Sequence, residues 1–159
     1  MGKRIEVSAV ESIVGTGYPA PYDEPCRSRD RKRLGNEAGL TQFGANLSRF
    51  PPGAWSSQRH WHSNADELIY IIEGEVVLVT DDGEEILRAG DTAGFKAGDP
   101  NGHHLQNRSE SDVLVIEIGT RDPENAVTYP DIDMVAPARG KPARLTRRDG
   151  TLFPGNGHS

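Results

Sequence analysis

Residues 60–80 read HWHSNADELIYIIEGEVVLVT, and the pattern of this stretch decides the fold. Its two apolar runs, LIYII (68–72) and VVLVT (76–80), are rich in β-branched residues and are broken by Glu73-Gly74-Glu75. Runs of that length between turn signals read as buried strands, because a helix needs roughly 10 residues or more of sustained period. Working outward, LTQFGANLSRF (40–50), EEILRAG (84–90), TAGFKAG (92–98) and DVLVIEIG (112–119) repeat the theme, each bounded by Gly, Pro, Asp or Asn. VVLVT and EEILR flank Asp81-Asp82-Gly83, which supplies the backbone freedom a tight hairpin needs. Apolar residues occupy both parities in VVLV and VLVI, so these strands are covered on both faces, as when one sheet packs on another sheet or on a partner subunit. The expected fold is all-β, a sandwich or barrel of antiparallel strands with little helix.

The same stretch carries a candidate site. Alternate residues of a strand share a face and stand about 6.6 Å apart, so His60 and His62 aim both imidazoles at one point. Ser63-Asn64-Ala65-Asp66 is a turn-rich step, after which Glu67 opens the next strand and returns a carboxylate beside them. The bland reading makes the histidines polar residues of a half-exposed strand and Glu67 a solvated strand start. Against it, a carboxylate leading into LIYII would be costly to bury unpaired, and a cation removes that cost. An imidazole and carboxylate set suits Fe(II), Mn(II), Ni(II), Co(II), Cu(II) or Zn(II) rather than calcium. Parity from Glu67 turns Ile69 and Ile71 inward and Tyr70 outward. Parity from His60 puts Ser56 and Gln58 on the ligand face, with Gln58 as a substrate contact, in a pocket expected to be apolar with few polar groups.

The flanks differ in kind. Residues 1–39 and 121–159 are rich in proline and poor in periodicity, and are expected as extended arms over a barrel at 40–120, one domain in all. The run Arg27-Ser28-Arg29-Asp30-Arg31-Lys32-Arg33 is either solvated surface or a phosphate grip. A single cysteine, Cys26, excludes an internal disulfide and is expected as an inert or mildly reactive surface thiol. The chain has 159 residues, 35% of them hydrophobic, enough for one modest core. Its net charge of −6 argues against nucleic acid or an anionic membrane as partner. The N-terminal MGKRIEVSAV lacks the apolar core of a signal peptide, which makes the cytoplasm the expected compartment. There is no GxxxxGK[ST], HExxH or GxSxG, so phosphate-loop, zincin and hydrolase-elbow chemistries lack a starting point.

The residues resemble the cupins, whose first motif is G(X)5HXH(X)3,4E(X)6G. Gly53, His60, His62, Glu67 and Gly74 stand in that order, with six residues rather than five after Gly53. The second motif, G(X)5PXG(X)2H(X)3N, is met by Gly90, Gly98, His103 and Asn107, with Lys96 in place of proline and four residues between Gly98 and His103. The whole chain is also similar to small bacterial single-domain cupins with YPAP, GHHLQNRS and YPDID segments, some of them described as sugar-phosphate isomerases. This resemblance implies a double-stranded β-helix, a small jelly roll, holding one divalent transition metal on His60, His62, Glu67 and His103. Spacing to Asn107 selects His103 over His104. If His103 points inward, so do Leu105 and Asn107, and His104 faces outward.

Two functions follow as expectations. The first is a metalloenzyme acting on a small oxygen-rich molecule, a sugar phosphate or carboxylic acid, by isomerase, decarboxylase, lyase or dioxygenase chemistry. The sequence assigns it no general acid or base. The second is a non-catalytic module that senses a sugar or small acid. A homodimer is expected because an apolar sheet face and two proline-rich arms are better buried against a second copy.

Overall fold

The computed structural model describes residues 2–138 and 144–154; residues 139–143 and 155–159 of the expected C-terminal arm, His158 among them, lie outside the described residues. In chain order the strands are β1 (Ser12–Val14), β2 (Asp30–Lys32), β3 (Phe43–Phe50), β4 (Trp61–His62), β5 (Glu67–Glu73) and β6 (Glu75–Thr80). They continue with β7 (Gly83–Arg88), β8 (Thr92–Phe95), β9 (His104–Gln106), β10 (Val113–Thr120), β11 (Val127–Tyr129) and β12 (Met134–Ala136). The α-helix among the described residues is one short turn, α1 (Leu34–Glu37).

One sheet runs β1-β2-β3-β10-β5-β8. Opposite it lie β7-β6-β9 and β12-β11-β4, connected by isolated bridges at Trp55–Gln106 and His60–His103. Every named pairing is antiparallel. The core draws on both walls. Phe50, Ile69, Ile71, Val113 and Val115 of the larger sheet meet Val76, Leu78, Leu87 and Leu105 of the facing one. This is the double-stranded β-helix that the resemblance to the cupins implies.

The inward and outward assignments along β5 hold: Ile69 and Ile71 are buried, whereas Tyr70 is 45% exposed. Leu105 and Asn107 are buried as well. Asn107 donates its amide to the backbone carbonyls of Phe50 and Ser111, tying the end of β3 to the segment that leads into β10.

Gly74 is the corner between the walls. β5 and β6 are consecutive in sequence yet belong to different sheets, and one residue separates them. That residue takes φ +85°, and a Cβ on it would stand 2.7 Å from the Asp112 carbonyl oxygen. Only a residue without a side chain passes there.

Two expectations about the flanks are corrected. The N-terminal arm is not wholly irregular, because β1 and β2 extend the large sheet through β3, with Arg31 opposite Ser48. Both strands lie outside the Pro19–Pro25 segment, where missing backbone donors would matter. Cys26 is not a surface thiol. It is fully buried, and burial pushes its pKa up to about 11, against the lowering effect of Arg29 and Arg31. Two tyrosines of the N-terminal arm, Tyr18 and Tyr22, pack on Tyr129, Met134 and Phe153 of the C-terminal one to form a second small core.

Replacing Gly74 by alanine is expected to lower stability by at least about 1–2 kcal/mol from the left-handed backbone alone, with the Asp112 collision added to it. Urea denaturation of the variant against the wild-type chain checks this.

Candidate metal centre

His60 and His103 are cross-strand partners. The His60 N–H donates to the His103 carbonyl at 3.1 Å and the His103 N–H donates back at 2.8 Å. Directly opposed residues of an antiparallel pair send their side chains to the same face, and the two rings come to 4.7 Å between centroids. His62, two residues along, brings its ring to 5.0 Å from that of His60. Glu67 enters from the facing sheet at the start of β5. Its Oε2 lies 2.7 Å from His103 Nε2 and 3.7 Å from His60 Nε2, and its Oε1 lies 3.2 Å from His62 Nε2.

The donor atoms of His60, His62 and Glu67 all lie within 4.8 Å of one another. Bonds of about 2.0–2.2 Å from one ion to nitrogen and oxygen place its ligands roughly 3–4 Å apart, so the set has the right dimensions. His103 joins it through its hydrogen bond to Glu67, and Phe95 stacks on the His103 ring at 3.5 Å.

Protonation also fits. Burial opposes ionisation of Glu67, yet the hydrogen bond from His103 and the adjoining imidazoles of His60 and His62 hold its carboxyl well below the ordinary range. Burial also draws the His103 imidazole below the ordinary histidine value, against the pull of Glu67. An ionised carboxylate and neutral imidazoles are the forms that ligate metals. His62 Nε2 is buried beside Glu67 without a hydrogen-bond partner, an orphaned donor position that an ion would satisfy.

Around these side chains a second set of contacts decides which nitrogen is free. His60 Nδ1 sits 2.9 Å from the Gln58 carbonyl, to which it donates, leaving Nε2 as the ligand atom. His62 is different. Its Nδ1 accepts from the Asn125 amide at 2.9 Å, while Asn125 Oδ1 accepts the Asn64 backbone N–H at 3.0 Å. Ligation through His62 Nε2 requires the proton on Nδ1, and therefore an acceptor at Asn125.

His104, expected to face outward, is instead buried against Trp55, with ring centroids 4.8 Å apart. Its Nδ1 donates to the Ser57 carbonyl and its Nε2 accepts from Gln106, so it has no nitrogen left for an ion. Burial pulls its pKa to about 4, against the Ser57 carbonyl that raises it.

The cluster opens on a cavity of about 520 Å³. The expected apolar pocket is corrected here: Arg29, Arg31, Arg33, Asn46, Glu117 and Arg121 are among its walls. β3 and β10 present Asn46, Ser48, Glu117 and Gly119 on their inward faces and keep Leu47, Ile116 and Ile118 for the outer face. Gln58, expected as a substrate contact, does not line the cavity. Its side-chain amide donates to the Tyr22 carbonyl at 2.7 Å and pins the N-terminal arm, whereas Ser56 does reach the cavity wall.

The model of the cupin domain matches residues 46–119. The crystal structure of a sugar phosphate isomerase of the cupin superfamily from Silicibacter pomeroyi is 38% identical in sequence and superposes with a TM-score of 0.91, covering 96% of this chain and 98% of that one. The chain belongs to the cupin superfamily. A more distant match, the polyketide cyclase RemF from Streptomyces resistomycificus, shares the fold at TM-score 0.62 and 17% identity, over 77% of this cupin and 81% of that chain. A comparison with curated proteins finds no match.

Sequence reading missed Asn125, Arg121 and the inward turn of Arg29, Arg31 and Arg33. The alternation R-x-R-x-R was a signal, since on a strand it puts three guanidinium groups on one face. Asn125 had none, because it reaches His62 across 63 residues of sequence.

Asn125→Asp is expected to tighten binding of a divalent transition metal about tenfold, because a carboxylate accepts from both His62 Nδ1–H and the Asn64 N–H. Asn125→Leu is expected to weaken it by a similar factor. Calorimetric titration of the metal into each variant measures both.

Proposed function

We propose that this cupin is a metal-dependent enzyme acting on a small oxygen-rich anion, a sugar phosphate or a carboxylic acid, by isomerase, lyase or dioxygenase chemistry. The observation that carries the reading is the convergence of His60, His62 and Glu67 at a polar cavity of substrate size. His103, bonded to Glu67, completes the proposed ligand set. The ion would be Fe, Mn, Ni, Co, Cu or Zn, the metals that imidazole and carboxylate suit. When bound, such an ion supplies Lewis acidity to coordinated substrate oxygens. Similarity over nearly the whole chain to a sugar phosphate isomerase favours isomerisation of a sugar phosphate among these reactions.

The chain's own residues prepare the site. His60 is oriented by Gln58 and Ser57, which both meet its Nδ1. Phe95 covers the His103 ring and shields that side from water. Glu117 is held at the cavity wall by Arg31 at 2.8 Å and by the Ser48 hydroxyl at 2.6 Å, so it is a fixed anion rather than a mobile base.

Elemental analysis of the protein purified without a histidine tag is expected to find about one equivalent of a divalent transition metal, nearly abolished in His60→Ala and Glu67→Gln. Interconversion of aldose and ketose phosphates should appear with the metal and vanish with chelator. A metal-free wild-type protein that binds no added ion would remove the reading, and saturable ligand binding indifferent to chelator would point to a sensor module.

A homodimer is part of the same proposal. Leu68, Tyr70 and Ile72 of β5, with Ile118 of β10 and Phe43 of β3, lie on the outer face of the large sheet and are each more than a third exposed. A contiguous apolar face of this kind is suited to a second copy. Light scattering is expected to give twice the chain mass, and Tyr70→Lys to shift it to the monomer.

A further inference from the structure

A chain of net charge −6 gathers four arginines, Arg29, Arg31, Arg33 and Arg121, around one cavity. Two of them are already engaged at the wall. Arg31 pairs with Glu117 at 2.8 Å, and Arg29 is half-buried with its guanidinium on the carbonyl oxygens of Gly15 and Ser56. The other two are different. Among the described residues neither Arg33 nor Arg121 forms an ion pair with a carboxylate.

Arg121 is nevertheless held in place. It donates to the Leu40 carbonyl at 2.8 Å and to Asn36 Oδ1, and these contacts leave guanidinium donors unused. Its Nε and Nη2 lie 3.7 Å from where a Cβ of Gly44 would be. Gly44 is the strand partner of Gly119, and Gly119 is the partner of Glu67. A Cβ on Gly119 would in turn stand 3.6 Å from Glu67 Cγ. Two neighbouring glycines thus form a bare floor between the carboxylate of the histidine cluster and the Arg121 guanidinium. With strands about 4.8 Å apart, the two charged ends are separated by on the order of 5–10 Å. Any side chain at either glycine would occupy that corridor. Asp122 also lines the cavity, without an ion pair to either arginine, and sets a limit on how much anion the mouth attracts.

We propose that Arg121 and Arg33 form an oxyanion subsite, which holds the phosphate or carboxylate of the substrate while its other end lies over the glycine floor against the histidine cluster. This rests on the cavity being the substrate site, and it selects substrates that carry oxygen donors at one end and an anion a few bonds away at the other. Arginine forks match both oxyanions, and charge-assisted bidentate pairs of this type are strong.

Inorganic phosphate is the probe, titrated by calorimetry into the wild-type chain, Arg33→Glu, Arg121→Gln and His60→Ala, with metal content measured in each. Both arginine variants are expected to weaken phosphate binding about tenfold or more while keeping their metal. His60→Ala is expected to lose metal and to bind phosphate within about twofold of wild type. Arg33 is exposed and, among the described residues, its side chain forms no hydrogen bond, only its backbone carbonyl accepting from the Glu37 N–H, so its variant tests the subsite without threatening the fold, and Arg121→Lys is expected to restore part of the loss. Wild-type affinity in both arginine variants, or binding lost in His60→Ala alone, overturns the subsite and leaves the metal reading standing. Arginine-dependent phosphate binding in a wild-type protein that takes up no metal supports the subsite and removes the metal reading instead. A parallel titration with acetate tells carboxylate from phosphate: displacement of phosphate at comparable concentration supports a carboxylate occupant, and its absence supports phosphate.

Discussion

An ionised carboxylate set between two β-sheets is unstable unless cationic or hydrogen-bonding groups surround it, and Glu67 answers that demand with three imidazoles. His103, His60 and His62 approach its two oxygens at 2.7–3.7 Å, and the His103 hydrogen bond with the two neighbouring imidazoles prevails over the desolvation that would otherwise protonate it. The arrangement is rigid because its parts are backbone-defined. His60 and His103 exchange both main-chain hydrogen bonds, and Glu67 is fixed by its pairing with Gly119 and Phe95. A metal would then meet side chains already gathered by the backbone, with the His62 tautomer left for it to set.

Topology brings these groups together. The chain turns through Gly74 from one wall to the other, and this places β5, with Glu67 at its start, opposite the β4–β9 side that carries the histidines. The same topology gives β10 two distinct faces. Its inner face carries Glu117 and Gly119 toward the cavity, and its outer face carries Ile116 and Ile118 toward the exposed apolar patch. Site and candidate dimer surface are therefore opposite sides of one sheet.

The N-terminal arm contributes to the site as well as to packing. By adding β2 to the edge of the large sheet it turns Arg31 into the barrel opposite Ser48, and it presents Arg29 and Arg33 to the same cavity. A cavity whose floor is the histidine and glutamate cluster thus acquires a basic rim, even though the chain as a whole is acidic.

Strand content, the hairpin at Asp81-Asp82 and the inward positions of Ile69 and Ile71 were legible from local pattern, because side-chain parity and turn chemistry act over a few residues. The grouping of His60, His62 and Glu67 was legible for the same reason, being compressed into eight consecutive positions. What lay beyond reading was whatever depends on partners far away in the chain. Gln58 obeyed no parity rule, because a loop rather than a strand carries it and the arm at Tyr22 captures its amide. His104 was covered by Trp55 and bonded to Ser57, and a charged run that looked like surface became cavity wall once β2 found β3. Sequence by itself determined that this is a β protein with a cluster of donors fit for a cation, since both rest on spacing between near neighbours. Tertiary structure alone decided which nitrogens face that cluster and which arginines share its cavity, because those choices belong to contacts between strands brought together only when the barrel closes.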